Sequence, residues 1–197
     1  MAGIGIVLLT YLIGSVSFAV IVSKAFGLPD PRSYGSGNPG ATNVLRSGKR
    51  TAAALTFAGD FLKGVVAVAV ARYFDGGIGT QESVVPFAAL AVFLGHLYPL
   101  FFRFQGGKGV ATAGGVLLAL YLPVGLTALA AWVAVFAATR VSSLGALAAA
   151  VVAPFAAWYF LGWGSASAVV CLISVLLVWR HRANIRKLLG GVEQKIV

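Results

Sequence analysis

A polar segment at residues 36–46 combines glycines with hydroxyl and amide side chains and ends on an arginine. The residues that could contact an anion there are Ser36, Gly37, Asn38, Gly40, Thr42, Asn43 and Arg46. Glycines let successive backbone N–H groups converge into a nest for an anion, and a planar guanidinium suits phosphate. The same residue types also build ordinary surface turns, so the sequence leaves both interpretations open.

A second segment, residues 95–112, contains a Gly-Gly-Lys-Gly turn before an apolar stretch. Its candidate phosphate ligands are Gly106, Gly107, Lys108 and Gly109. A lysine and unpaired N–H groups at a helix start bind phosphate oxygens well, although the spacing is not that of a Walker A loop. The alternative is a basic turn that lies at lipid headgroups. We interpret His96 as a hydrogen-bonding residue of the helix bundle.

A third segment runs from His181 through Asn184 to Gly191, with Glu193 beyond it. Helical spacing places His181 and Asn184 on one face, where they could act on a substrate. The alternative is a basic tail that only fixes topology.

Two ionisable residues, Asp60 and Lys63, lie three positions apart within an apolar stretch. Charged groups inside a membrane are costly and usually functional. We interpret them as a structural ion pair that fixes helix packing. A proton or ion path through them is the alternative.

The elements that must position these residues are membrane helices. Of the 197 residues, 59% are hydrophobic and 10% charged, and the mean hydropathy is +0.93, whereas a soluble domain carries about a quarter charged residues. The net charge of +10 fits basic loops against an anionic leaflet, and we expect no nucleic-acid partner. One cysteine, two histidines and five carboxylates are too few for an obvious metal site, so we expect no metal.

Hydropathy and charge together predict an all-α fold, a polytopic membrane helical bundle formed by one domain, residues 1–197. Lys and Arg gather in alternate connections, whereas 75–82 and 162–164 have none. The positive-inside rule then places the N-terminus outside and the C-terminus in the cytoplasm. The stretch 109–139 must cross an even number of times, as two short spans or a re-entrant pair, which gives about seven transmembrane helices. The other predicted spans are 3–23, 52–74, 83–102, 144–162 and 165–179.

At its three polar segments the sequence resembles the bacterial acyl-phosphate:glycerol-3-phosphate acyltransferases. The resemblance rests on Ser-Gly-Asn-x-Gly-Ala-Thr-Asn-x-x-Arg at 36–46, on Gly-His…Gly-Gly-Lys-Gly-Val-Ala-Thr at 95–112, and on His-x-x-Asn-Ile at 181–185. The Asp60-x-x-Lys63-Gly64 stretch is also typical of that family.

The resemblance implies a multi-pass enzyme of the bacterial inner membrane with its active site on the cytoplasmic face. It would transfer a fatty acyl group from acyl phosphate to the 1-position of sn-glycerol 3-phosphate, giving lysophosphatidic acid and inorganic phosphate in phospholipid biosynthesis. No cofactor is implied. Membrane lipids surround such an enzyme, the soluble enzyme that makes acyl phosphate is a candidate partner, and a bundle of this size is expected to work as a monomer.

Within this framework Ser36, Arg46 and Lys108 are expected to hold the glycerol phosphate. Thr42, Asn43, His181 and Asn184 would hold the acyl-phosphate end and the oxyanion. Ser36, Lys108, His181 and Asn184 are therefore the candidate catalytic residues. His181 is the side-chain candidate for general base, and a substrate phosphate oxygen is equally consistent with these residues.

Two other classes compete with an acyltransferase. A transporter of a phosphate-bearing solute would explain the intramembrane charges and the broken apolar segments, but the sequence has no matched halves. A lipid phosphatase or a phosphoalcohol transferase would need a clustered histidine or an acidic metal site, and five scattered carboxylates argue against the latter.

Overall fold

The computed structural model describes residues 2–78 and 83–195, and all regular structure in these ranges is helical. This confirms the all-α prediction. Two compact units are present, Met1–Ala119 and Leu120–Val197, and the single domain 1–197 stays a prediction. In chain order the elements are α1 (Ala2–Gly14), α2 (Phe18–Ala25), α3 (Ala41–Leu45), α4 (Arg50–Ile78), α5 (Val85–Leu97), a 3-10 helix (Leu100–Phe102), α6 (Val110–Leu120), α7 (Leu122–Thr139), α8 (Ser142–Leu161), α9 (Ser165–Arg180) and α10 (Arg182–Leu189).

The first predicted span, 3–23, is a helix that breaks near its middle. Residues 15–17 separate α1 from α2. Backbone carbonyls at such a break lack a helical partner, and the Val16 carbonyl accepts a hydrogen bond from Lys63 Nζ of α4 at 2.8 Å. The break is therefore stabilised by a side chain that lies far along the sequence.

Small residues allow α1 and α5 to approach each other closely. A Cβ atom added to Gly14 would meet the Val92 backbone, and one added to Gly95 would lie 2.9 Å from Ser15 N. Membrane helices commonly associate through such small residues. The Tyr11 hydroxyl at the same interface donates to the Tyr98 carbonyl at 2.7 Å.

The helix that follows the Gly-Gly-Lys-Gly turn, α6, packs on α4. A Cβ atom at Gly64 would lie 2.5 Å from the Thr112 carbonyl oxygen, and Thr112 Oγ1 donates to the Asp60 carbonyl at 2.9 Å. The N-terminal turn of α6 is thus fixed against the middle of the helix that carries the intramembrane charges.

The second unit contains α7 to α10. The stretch 109–139 divides at Tyr121, where extended backbone precedes α7, and Pro123 lies in the first turn of that helix, a favoured position for proline. Within the unit α8 packs against α7 and α9. The chain bends by 57° between α9 and α10.

The number of spans differs in part from the prediction of seven. Within the described residues, five helices are long and apolar enough to cross a membrane, or six if α9 and α10 form one bent span. The shorter α6 has 11 residues, about 17 Å of helix, whereas the hydrocarbon core is about 30 Å thick. Seven spans and the orientation of the termini therefore stay predictions, and residues 79–82 of the predicted 75–82 connection lie outside the described residues.

Large apolar side chains cover the outer faces of the helices. Ile4 of α1, Leu62 of α4, Phe155 of α8 and Val175 of α9 are all exposed. A soluble protein would not present so many exposed apolar side chains, whereas hydrocarbon is the environment that they suit. This surface agrees with an integral membrane protein.

Candidate active site

The polar segment 36–46 is folded around the side chain of Asn43. Its Oδ1 accepts from the Ser36 N–H at 2.9 Å, and its Nδ2 donates to the carbonyls of Pro31 and Tyr34 at 2.7 and 3.1 Å. Only 1% of Asn43 is exposed. Because both amide hydrogens are used within the loop, these contacts indicate a positioning role for Asn43, and its expected contact with a substrate stays a prediction.

Replacing Asn43 with alanine is expected to lower the melting temperature. Three backbone groups of the loop would lose their partner, at a cost of about 2–4 kcal/mol in the free energy of unfolding. Thermal unfolding in detergent measures this, with Ser33→Ala as the control, since Ser33 is an exposed loop residue whose hydroxyl donates only to the Asp30 carbonyl among the contacts described. Equal melting temperatures for the two variants would contradict the positioning role.

A bidentate ion pair precedes this loop. Arg32 Nε lies 3.0 Å from Asp30 Oδ1, and Arg32 Nη2 lies 2.6 Å from Asp30 Oδ2. The side-chain hydrogen bond from Arg32 lowers the pKa of Asp30 below its usual 3.8. The pair therefore stabilises the loop fully at neutral pH, and this contribution is lost as the pH falls below 3.8 through the lowered pKa.

The Gly-Gly-Lys-Gly turn lies on the C-terminal end of α5. Gly107 N–H donates to the His96 carbonyl at 3.2 Å, and a Cβ atom at Gly106 would lie 2.5 Å from the Leu97 carbonyl oxygen. A Cβ atom at Gly107 would meet the imidazole of His96 and would lie 3.0 Å from the Pro39 carbonyl oxygen. Glycine is required here by close approach, and the structure brings the first two polar segments together at Pro39 and Gly107.

Most of the other side-chain candidates in these two segments reach the surface of the first unit. Ser36, Thr42 and Arg46 are exposed and Lys108 is half-buried, whereas Gly109 is buried, with a φ of +86°. A hydroxyl, a guanidinium and an ammonium that belong to one unit and remain accessible to solvent could hold a phosphate.

The two intramembrane charges, Asp60 and Lys63, form an ion pair. Asp60 and Lys63 are 3% and 4% exposed, and Lys63 Nζ lies 2.9 Å from Asp60 Oδ1. His96 Nδ1 lies 3.5 Å from the same oxygen. The geometry is that of an ion pair within a helix bundle, and its structural function stays a prediction.

The third segment lies in the second unit. His181 is 2% exposed, at the junction of α9 and α10, and its Nδ1 lies 2.8 Å from the Leu177 carbonyl oxygen. A carbonyl can only accept a hydrogen bond, so Nδ1 carries a proton. In the neutral ring Nε2 is then the basic nitrogen, as a general base requires.

The amide of Asn184 contacts Glu193, a contact that the sequence did not reveal. Asn184 Nδ2 donates to Glu193 Oε1 at 2.5 Å, and Ser143 Oγ donates to the same oxygen at 2.7 Å. The chain returns to Asn184 after α10 through a turn at Gly191, which has a φ of +69°. The pair of glycines before a single carboxylate was the signal that could have predicted this contact.

Replacing Glu193 with alanine is expected to lower kcat/KM by about 10- to 100-fold, because Asn184, a candidate catalytic residue, loses a hydrogen-bond partner of its amide, and small displacements of a catalytic group are costly. Glu193→Gln keeps an acceptor oxygen and should retain more activity. The adjacent, exposed Gln194 provides the control variant Gln194→Ala. Wild-type kinetics for Glu193→Ala would contradict the orienting role.

Metal ligation has no obvious place in this arrangement. Across residues 2–78 and 83–195, His, Cys, Asp and Glu form no group of three that could hold a metal ion. Ser36, Thr42, Arg46 and Lys108 can all donate hydrogen bonds, and the positive charges of Arg46 and Lys108 suit a phosphorylated substrate.

Apolar helices of spanning length and accessible cationic loops define a polytopic helical membrane protein with a candidate phosphate site. A family model described as glycerol-3-phosphate acyltransferase matches residues 4–191. The chain therefore belongs to the glycerol-3-phosphate acyltransferase family, and its enzyme class is acyltransferase.

Individual relatives agree with this assignment. The glycerol-3-phosphate acyltransferase of Thiobacillus denitrificans is 57% identical over 191 residues, which cover 97% of this chain and 96% of the relative. The crystal structure of PlsY, an integral membrane glycerol 3-phosphate acyltransferase, in its glycerol 3-phosphate form is 36% identical with a TM-score of 0.91, covering 100% of this chain and 96% of that one. Its lysophosphatidic acid form is 35% identical with a TM-score of 0.89, at the same coverage. The transporter alternative is not supported.

Proposed function

We propose that this enzyme transfers a fatty acyl group from acyl phosphate to the 1-hydroxyl of sn-glycerol 3-phosphate. The products would be lysophosphatidic acid and inorganic phosphate. The observation that carries the proposal is the meeting of two glycine-rich, cationic segments at Pro39 and Gly107, since both substrates carry phosphate. The similar PlsY structures, described as glycerol 3-phosphate and lysophosphatidic acid forms, support the acceptor and the product.

The reaction needs little from the protein beyond positioning and charge stabilisation. The hydroxyl oxygen attacks the acyl carbonyl carbon, a C–O bond forms, and the bond from that carbon to the phosphate oxygen breaks. Because phosphate is a good leaving group, no protein nucleophile is required. Hydrogen-bond donors that face the transient oxyanion each contribute about 2.7–4 kcal/mol to the stability of the transition state.

For the acceptor phosphate we assign Ser36, Arg46 and Lys108, with backbone N–H groups of the two loops. The guanidinium of Arg46 would bind phosphate oxygens in pairs, and the ammonium of Lys108 would act as a compact charge. Their accessibility supports this assignment. Asn38, Gly106 and Gly109 are the loop positions that would contribute backbone groups. Gly37, Gly40 and Gly107 would shape the loops, because their N–H groups donate to the carbonyls of Tyr34, Asn38 and His96.

For the donor phosphate and the oxyanion we assign Thr42 and Asn184, and we assign His181 as the general base. The proton on Nδ1, donated to Leu177, supports a basic Nε2 that takes the hydroxyl proton. Asn43 is not included, because its amide is used within the loop.

We further propose that the enzyme works as a monomer in the bacterial inner membrane, with its active site facing the cytoplasm and no metal or cofactor. An acyl phosphate has a lipid tail, and the exposed apolar helix faces would allow it to enter laterally from the bilayer. The soluble enzyme that makes acyl phosphate would then be a transient partner.

The test uses purified protein in lipid with synthetic palmitoyl phosphate and no divalent metal. Phosphate release should require glycerol 3-phosphate and should match the amount of lysophosphatidic acid formed. If palmitoyl-CoA is the donor instead, acyl phosphate is wrong as the donor and the acyltransferase class remains. No transfer from either donor by folded protein would contradict the proposed reaction.

A further inference from the structure

A buried polar cluster connects the interior of the first unit to the Gly-Gly-Lys-Gly turn. Asp60 Oδ1 lies 2.9 Å from Lys63 Nζ and 3.5 Å from His96 Nδ1. Lys63 Nζ also donates to the Val16 carbonyl at the break between α1 and α2. The Lys63 ammonium and the His96 imidazole thus face the same carboxylate oxygen of Asp60. The cluster is formed by α4, α5 and the break between α1 and α2.

The opposite edge of the His96 ring lies against Gly107. A Cβ atom at Gly107 would meet Nε2 of this imidazole, and it would lie 2.9 Å from its Cε1. The Gly107 N–H also donates to the carbonyl of His96. Both the backbone and the side chain of His96 therefore contact the residue that precedes Lys108.

A histidine that only filled space would not need this arrangement. Its ring is 7% exposed, and one nitrogen faces a carboxylate that is itself held by an ammonium. An imidazole ring is rigid, so the fixed position of Nδ1 also fixes the edge that contacts Gly107. In the same way, a carboxylate that orients a histidine is a common device for placing the second ring nitrogen.

We propose that His96 is a positioning residue: the Asp60–Lys63 ion pair orients its imidazole, and the ring holds Gly107 and, with it, Lys108 in place to receive a substrate phosphate. The inference rests on the proposed function, in which this turn holds the phosphate of glycerol 3-phosphate. It assigns the intramembrane ion pair a purpose beyond helix packing.

Two substitutions separate the two edges of the ring. In His96→Asn the side-chain amide takes the place of Nδ1 and can still donate to Asp60, but nothing reaches Gly107. In His96→Gln the amide reaches the place of Nε2 and can still contact Gly107. We expect His96→Asn to weaken glycerol 3-phosphate binding by about tenfold or more, since misplacing a binding group by 1 Å can cost up to about 10²-fold, and His96→Gln to weaken it less.

The measurement is glycerol 3-phosphate affinity by isothermal titration on protein in nanodiscs, without any acyl donor. Melting temperatures without ligand identify variants that fail to fold. Equal affinities of His96→Asn and wild-type protein would overturn the inference. Wild-type protein that does not bind glycerol 3-phosphate would overturn the proposed function of the turn and, with it, the inference.

Gly107→Ala tests the contact between Gly107 and the imidazole of His96 independently. When Gly107→Ala is the only substitution, the added Cβ atom meets the imidazole of His96, so we expect a large loss of glycerol 3-phosphate affinity. In a His96→Asn background the ring is absent, and only a small adjustment relative to the Pro39 carbonyl at 3.0 Å is needed. We therefore expect Gly107→Ala to reduce glycerol 3-phosphate affinity much less in the His96→Asn background. Losses that multiply independently would overturn the proposed contact.

Discussion

Lys108→Met is expected to lower kcat/KM by about 10²- to 10³-fold, because it removes the charge that we assign to the substrate phosphate, where negative charge would develop in the transition state. Methionine keeps the length and the apolar stem of lysine, so the change is chiefly electrostatic. Lys108 is half-buried at the start of α6, where an ammonium is screened less by water than at the surface. Steady-state kinetics with varied glycerol 3-phosphate measure the effect.

Two further variants test whether activity depends on both the charge of Lys108 and the location of that charge. Lys108→Arg keeps the charge but replaces a compact ammonium with a planar fork, so it should recover part of the lost activity. Lys49→Met removes the charge of an exposed lysine just before α4 and should leave the kinetics unchanged. A Lys108→Met enzyme that keeps most of its kcat/KM would contradict the assignment of Lys108 to the phosphate site.

Much of the helical architecture was predictable because apolar runs are a local signal. The runs at 52–74 and 144–162 correspond to α4 and α8, and the proline at 123 indicated the division between α6 and α7. The break at 15–17 was not predicted, because it contains no proline and its Val16 carbonyl is satisfied by Lys63, far along the chain. Local periodicity carries no information about such a partner.

The candidate site, like the fold, could be predicted only in part from the sequence. Residue type and spacing indicated the chemistry of the glycine-rich segments, but not which side chains are used within the protein. Asparagine is a residue type that commonly contacts a bound anion, yet the amide of Asn43 donates to the carbonyls of Pro31 and Tyr34, which lie 12 and 9 residues away. Glu193 lies beyond the third polar segment, and its contacts with Asn184 and Ser143 depend on how the chain turns after α10. These functions follow from tertiary contacts and required the structure.

The general base is tested by His181→Ala, for which we expect kcat at saturating substrates to fall by about 10²- to 10⁴-fold. Alanine would also leave a cavity, since His181 is 2% exposed, so His181→Asn is the matched variant. Its amide can still donate to the Leu177 carbonyl, which Nδ1 contacts at 2.8 Å, but it cannot accept a proton. We expect His181→Asn to keep the melting temperature and to lose kcat as alanine does, with a smaller change in KM. If both folded variants turn over near the wild-type rate, a substrate phosphate oxygen takes the hydroxyl proton, and His181 contributes only to the packing between α9 and α10.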